Sequence, residues 1–413
     1  MMLPVLVLSL ACLDAKPSVY GAEAARLTTA MIQTFYDSKN KIWKPLVTSS
    51  ESVGRQGYTF WSSLLAWQAI IEAAKVDAKR WKPDVDKYFD TLEQYFDKHG
   101  HAYCAWTYFP GNDDQFYDDN TWAVIACMEA YAITGEARFK ARGAEIFNGF
   151  VRGGWDNSDN PGGLRWGTKA GLQDRSDRTV SATAAGALAA LLLAPIGDRA
   201  GYEAWAKRAL DWIRTKLSAD NGLIYDGFRA PNFSRMPTIW TYNTGVPIRA
   251  ALEYARQTKD ESYRKWAIAM GDACLDRTQS PMFDGSVADL SKRYWYDSTF
   301  FIHYLVDGMR ELTRATGDQK YANEARREAN FVKTYLYDED GLYLRNMRLW
   351  MIDAKRLAAY QKLTGQSTPA FSPDASERSM EPADMTKPVG QRPIVKTLLA
   401  NAGTARMFWL LSH

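Results

Sequence analysis

The sequence predicts an all-α fold, an (α/α)6 toroid of six outer and six inner helices, and three observations carry that prediction. One pattern recurs at a step of about 60 residues. It reads "TGEARFKARGAEIFNGF" from Thr134, "IGDRAGYEAWAKRALDWI" from Ile196, "TKDESYRKWAIAMGDACL" from Thr258 and "TGDQKYANEARREANFV" from Thr316, with a fainter copy, "KVDAKRWKPDVDKYFDTL", from Lys75. Between the copies lie segments such as Trp122–Ile133 and Thr179–Ala194, apolar or small nearly all the way round, and a helix of that kind must be buried on every side. The two kinds alternate as pairs along almost all of the 413 residues, which leaves no room for a second domain.

Each copy of the repeat reads as a short turn with an acidic cap, then an amphipathic helix with aromatic and Ala positions on one stripe and charged residues elsewhere. Amphipathic helices are expected to start near Glu23, Pro83, Glu136, Tyr202, Ser262 and Gln319. Buried helices are expected near Trp61, Asp119, Thr179, Gly245, Ser298 and Ile394. An open solenoid would leave one face of each inner helix to solvent or a partner, so helices apolar on all faces favour a closed ring. Gly-containing links at Asp220–Gly227 and Asp338–Leu344 predict short hairpins. An additional helix is expected near Asp353–Leu363, followed by a Pro- and Ser-rich surface loop at about 365–392. Residues 1–20 read as a signal or lipid-attachment segment, and 21–413 as a single domain.

Composition narrows the function. With 51 basic and 48 acidic side chains and no basic run, the chain lacks the electrostatic footprint of a nucleic-acid binder. No segment beyond the N-terminus has the unbroken apolar length of a membrane span. The apolar run ending in Ala-Cys-Leu at Cys12 lacks a basic n-region, yet it points to export, with a secreted, periplasmic or cell-surface protein and a lipid on Cys12 as one form of it. Cys12, Cys104, Cys127 and Cys274 show no metal-ligand spacing and no disulfide framework. The four His residues form no zinc pair and no recognisable nucleophile triad, so neither a metal nor another cofactor is expected and histidine-dependent epimerisation loses ground. A monomer acting on an oligo- or polysaccharide is the partner expectation.

In a toroid the inner helices run roughly parallel, so the residues before each gather at one rim. They read "YTFW" (Tyr58–Trp61), "YDDN" (Tyr117–Asn120), "SDRT" (Ser176–Thr179), "TYNTG" (Thr241–Gly245) and "YWYDS" (Tyr294–Ser298). Aromatic faces stack on sugar rings, and planar amides and carboxylates bind paired hydroxyls, so this is a carbohydrate-binding rim in type. On it Trp61, Trp122, Tyr296 and Asp297 are candidate substrate contacts. A single Asp, Asn or Ser before a helix is more often a cap than a catalyst, which weakens Asp297, Asn243 and Ser176 taken one at a time. The tandem Asp118–Asp119 is harder to reduce to capping, because one cap needs one side chain and the second adds repulsion. Glycoside hydrolysis needs two carboxyl groups flanking the scissile bond, about 5–5.5 Å apart for retention and wider for inversion. Neighbours on a helical turn point about 100° apart and can flank a glycosidic oxygen. The rival pair Asp113–Asp114 reads as a polar loop, and the four aspartates together lack the alternating ligands of a calcium loop.

These residues resemble glycoside hydrolase family 76, the endo-α-1,6-mannanase-like family. The likeness runs from "TFYDSKNKIW" near Thr34 to about Tyr335 and is most specific in "YDDNTWAVIACMEAYAITGEARF", with "PGGLRW" (Pro161–Trp166), "GLIYDG" (Gly222–Gly227) and "TYNTG" in support. The resemblance implies a retaining α-mannan hydrolase with Asp118 as nucleophile and Asp119 as general acid/base. It also implies that Asp226, Tyr242, Asn243, Trp166 and Trp61 line mannose subsites. Two departures stand out: Thr244 where the family usually has Gln, and Asp177-Arg178 where it has Lys-Asn, both expected to alter the rim beside the catalytic pair. A non-catalytic glycan-binding toroid is the alternative from another class. Transglycosidase, uronide hydrolase and epimerase activities are alternatives within the fold.

Overall fold

The computed structural model describes residues 19–46, 59–168, 176–367 and 369–413. Cys12, the apolar N-terminal segment and Tyr58 lie outside the described residues. Fourteen helices are present among the described residues. The outer ones are α1 (Val19–Phe35), α3 (Ala78–Leu92), α5 (Ala137–Gly149), α7 (Arg199–Lys216), α9 (Glu261–Leu275) and α11 (Gln319–Tyr335). The inner ones are α2 (Phe60–Val76), α4 (Tyr117–Thr134), α6 (Val180–Leu193), α8 (Thr241–Thr258), α10 (Thr299–Thr316) and α14 (Leu398–Leu410), while α12 (Ala354–Thr364) and the short α13 (Pro382–Met385) sit between the last two. Each inner helix packs on the next, and α14 packs on both α2 and α1, closing the ring. The fold is an (α/α)6 toroid, not an open solenoid.

The repeat in the sequence has a local cause. Inner helices α4 and α10 end in a left-handed residue, Gly135 (φ 74) and Gly317 (φ 76), where a side chain would be strained. At four of the links an aspartate caps the next outer helix: Asp77, Asp198, Asp260 and Asp318 accept from the amides of Arg80, Gly201, Ser262 and Lys320 at 2.9–3.1 Å, whereas Glu136 before α5 makes no side-chain cap. The cap at Asp77 starts α3 at Ala78, five residues before the expected start at Pro83, which is carried inside the helix. Thr397 caps α14, so the sixth inner helix begins at Leu398, after Ile394. Where α8 crosses α10, Gly245 stands against backbone: a Cβ there would lie 2.5 Å from Leu305 Cα.

Strands are two or three residues long and follow the outer helices as miniature hairpins, for example Tyr36–Asp37 with Ile42–Trp43 and Phe96–Asp97 with Ala102–Tyr103. The two hairpin links expected from sequence carry bridges Ser218 to Ile224 and Tyr337 to Tyr343. The region 365–392 is more structured than a plain loop, because it holds α13 and pairs Arg378 with Ile394.

The inner helices are hydrophobic for most of their length, with one buried exception. About 12–22 Å along them from the rim, at the rise of 1.5 Å per residue, five contribute charges to a single network. Arg406 on α14 reaches Asp307 (3.0 Å) and Glu72 (3.5 Å), Arg249 reaches Asp307 (2.9 Å) and Glu129 (2.5 Å), and Lys75 reaches Glu72 (2.7 Å) and Glu129 (3.2 Å). Burial alone would push the Glu129 carboxyl up, but Lys75, Arg249 and Arg406 overcome it and bring it down to about 2. No helix among the described residues is long and apolar enough to cross a membrane. Cys104, Cys127 and Cys274 are buried free thiols.

Candidate active site

A cleft of about 620 Å³ opens at one end of the ring. The first turns of α2, α4, α6, α8 and α10 all reach it, through Trp61, Asp118, Ser181, Tyr242 and Phe301 respectively, so the inner helices share one direction. Five helix N-termini aimed at one space create a positive local potential that favours an anion there, each by a few tenths to about 1 kcal/mol.

Asp118 and Asp119 form the cleft floor. They lie inside the first turn of α4, whose N-cap is Phe116 with no side-chain cap, so neither aspartate is spent as an N-cap. The two carboxyls differ in their partners. Asp118 Oδ1 accepts from the Asp119 amide (2.9 Å), and its Oδ2 accepts from Trp166 Nε1 (2.9 Å) and Ser181 Oγ (3.2 Å). Asp119 has no side-chain hydrogen bond from any described residue. Burial pushes Asp118 up to about 6, with those hydrogen bonds holding it from rising further. Asp119 is raised well above the carboxylate range, by burial first and then by the charge of Asp118. The pair therefore sets an anchored carboxyl, which ionises first, beside one that keeps its proton to higher pH, the division of labour that two-carboxylate chemistry requires.

The walls are aromatic. Trp61, Trp122, Trp166 and Tyr242, all expected from sequence, line the cleft with Asp226. Tyr242 Oη donates to Asp226 Oδ1 (2.8 Å), and the Asp226 carboxyl is raised by burial. Trp122 stacks on Tyr304 with centroids 4.2 Å apart, and Trp61 stacks on Phe301 at 6.0 Å.

Three expected contacts lie elsewhere. Asn243 is fully buried and does not line the cleft; its Nδ2 donates to Thr238 O, and its side chain hydrogen-bonds Asp226 on the cleft wall. Asp297 accepts from Thr241 N (2.9 Å), Thr241 Oγ1 (2.8 Å) and Ser298 N (2.7 Å), tying the starts of α8 and α10 together as a capping residue would. Together with Tyr296 it lines a separate, smaller recess. The departures from the family pattern also resolve differently from expectation. Thr244 is fully buried and accepts from Ile224 N, and Arg178 turns away from the cleft to Asp156 (2.9 Å); only Asp177 lies on the cleft wall, accepting from Ala230 N (2.8 Å).

Sequence reasoning missed Ser181, Trp106, Tyr304, Phe301 and Arg229 on the walls. Trp106 had a detectable partner: its Nε1 donates to Asp114 Oδ2 (2.6 Å), so the first aspartate pair, read as a polar loop, orients a cleft tryptophan. Among the described residues no cluster of His, Cys, Asp and Glu is arranged to hold a metal ion.

Comparison with known proteins agrees with this geometry. The profile of Glycosyl hydrolase family 76 matches residues 20–314. The chain is 27% identical to the Meiotically up-regulated gene 191 protein of Schizosaccharomyces pombe, over 95% of this chain and 92% of the relative. In fold it resembles a GH76 α-mannanase of Bacteroides thetaiotaomicron (TM-score 0.73, 18% identity, 95% of each chain). It also resembles an inactive, doubly aspartate-substituted α-1,6-mannanase of a Salegentibacter species in complex with α-1,6-mannotriose (TM-score 0.68, 15% identity, 95% of this chain and 99% of that one). A closed ring of helix pairs and a match spanning most of its length together show that this chain belongs to glycosyl hydrolase family 76.

Proposed function

We propose that the protein hydrolyses α-1,6-mannosidic bonds with retention of configuration. The observation that carries this reading is the asymmetry of the tandem aspartates. Asp118, held by Trp166 and Ser181, attacks the anomeric carbon, and Asp119 gives its proton to the departing glycosidic oxygen. A covalent glycosyl-aspartate forms as the leaving sugar departs. Asp119, now a carboxylate, then takes a proton from water, which attacks the anomeric carbon and frees Asp118. The substrate assignment is supported by the aromatic walls and by relatives named as α-mannanases, one of them in complex with a mannotriose.

The test is to incubate the protein with linear α-1,6-manno-oligosaccharides and follow the new reducing end by proton NMR. Retention gives the α-anomer first. A β-anomer would overturn the nucleophile assignment, and binding without cleavage by the folded protein would leave a glycan-binding toroid. Longer products alongside shorter ones would indicate transfer to sugar instead of water. We propose further that the protein acts outside the cytoplasm, a reading supported by the apolar segment before Cys12. An unprocessed amino terminus on the natively produced chain would remove that support.

A further inference from the structure

Beside the cleft lies a second recess of about 250 Å³, built by the same rim but sharing none of the cleft's lining residues. The segment 236–242 divides the two: Met236 and Tyr242 face the cleft, while Trp240 and Thr241 face the recess. Trp240 is partly exposed, and its ring lies 5.8 Å from that of Phe301 on the cleft wall. Across the recess stand Tyr296 and Arg348. Arg348 lies over the Tyr296 ring at 4.9 Å, and its Nε donates to Tyr296 O (2.9 Å). Its two terminal nitrogens donate to no described residue, although Asp297 lines the same recess.

This is more polar chemistry than packing requires. Two partly exposed aromatic rings supply faces. A guanidinium with unspent donors supplies directed hydrogen bonds to vicinal hydroxyls, while Asp297, spent on the starts of α8 and α10, keeps the recess wall in place; apolar lining with a placed polar group is what marks a ligand site. Arg348 is pre-oriented by its Nε bond and by the ring beneath it, so binding would order little that is not already ordered.

We propose that this recess is a distal carbohydrate subsite, which takes a sugar unit of a chain that leaves the cleft across Phe301 and Trp240. The proposal rests on the substrate reading above and extends it: the protein would favour chains long enough to reach both sites, as an enzyme cutting within a polymer does.

The experiment is calorimetric titration of the full chain carrying Asp118→Asn, which keeps the cleft but removes turnover, with α-1,6-manno-oligosaccharides of increasing length. Affinity should climb as the cleft fills and then gain about a further tenfold once the chain reaches the recess. Trp240→Ala and Arg348→Ala, each added to that background, should erase the second gain and leave the first. Arg348→Ala guards against a reshaped cleft, because Arg348 does not line it, and thermal melting of each variant checks folding. A second gain that survives both variants, or affinity that stops rising with the cleft full, overturns the subsite while leaving the substrate reading intact. Absence of binding at every length overturns both.

Discussion

Asp118→Asn should abolish hydrolysis yet change stability with a sign that depends on pH. Burial lifts the Asp118 carboxyl from an ordinary 3.8 to about 6. A folded-state value above the unfolded one means that the native state carries the charge at a cost. That cost is absent below pH about 4 and complete above pH about 6. At about 1.4 kcal/mol per pH unit it is capped near 3 kcal/mol. Asparagine removes the charge but has only one acceptor oxygen, so either the Asp119 amide or the Trp166 indole loses its partner, at about 1 kcal/mol. The balance is a gain of about 2 kcal/mol at pH 7 and a loss of about 1 kcal/mol at pH 4. With an unfolding entropy of about 2.1 cal/mol/K per residue over 413 residues, the melting temperature should rise about 2 °C at pH 7 and fall about 1 °C at pH 4. Scanning calorimetry of variant and parent at both pH values reads this directly. Shifts of the same sign at both would refute the claim that burial raises this carboxyl.

Asp119→Asn should lower kcat on natural oligosaccharides by about 10²–10⁴-fold, but far less on the first turnover of a dinitrophenyl α-mannoside, whose leaving group needs no proton; equal losses on both would show that Asp119 is not the acid. The acid limb of kcat/KM should fall near pH 6 as Asp118 takes up a proton, and Ser181→Ala, which removes a bond to the carboxylate, should move that limb upward; an unmoved limb would refute the role given to Ser181. Arg406→Ala leaves Asp307 and Glu72 short of a buried partner and should cost about 3–5 kcal/mol in denaturant unfolding, whereas a loss under 1 kcal/mol would mean the network is solvated.

The helix pairs were legible because four of the inner-to-outer links repeat one chemistry, an aspartate cap after a turn, and because helices such as α6 have no polar face to misread. The catalytic candidates were legible because two adjacent acids at the start of a buried helix have no structural use for both. The hairpins after the outer helices went largely unread, although several open on an aromatic-Asp pair, with Asp37 and Asp97 accepting from the amides of Lys39 and His99 to turn the chain. What the sequence could not order was the depth of each rim residue. In "TYNTG", Tyr242 reaches the cleft while Asn243 and Thr244, one and two positions on, are turned beneath it by the rotation of a helix whose phase depends on how α8 meets α10. Ser181 was hidden for the same reason, one small residue among many on an all-apolar helix.

The closure of α14 onto α1 and α2 makes this architecture behave as a latch. In a solenoid each added repeat is stabilised as it stacks, but here Glu72 and Asp307, already paired with Lys75 and Arg249, gain Arg406 only from a helix more than three hundred residues from the first of them, and Trp409 Nε1 meets Thr28 Oγ1 across nearly the whole chain. The ring should therefore assemble in one cooperative step that completes only when its last helix docks, and the cleft, whose walls come from five different helices, should exist in no partial intermediate. A circle also has no preferred seam. Joining α14 to α1, which already touch, and reopening the chain at another outer-helix link should return the same toroid with the latch at a new place.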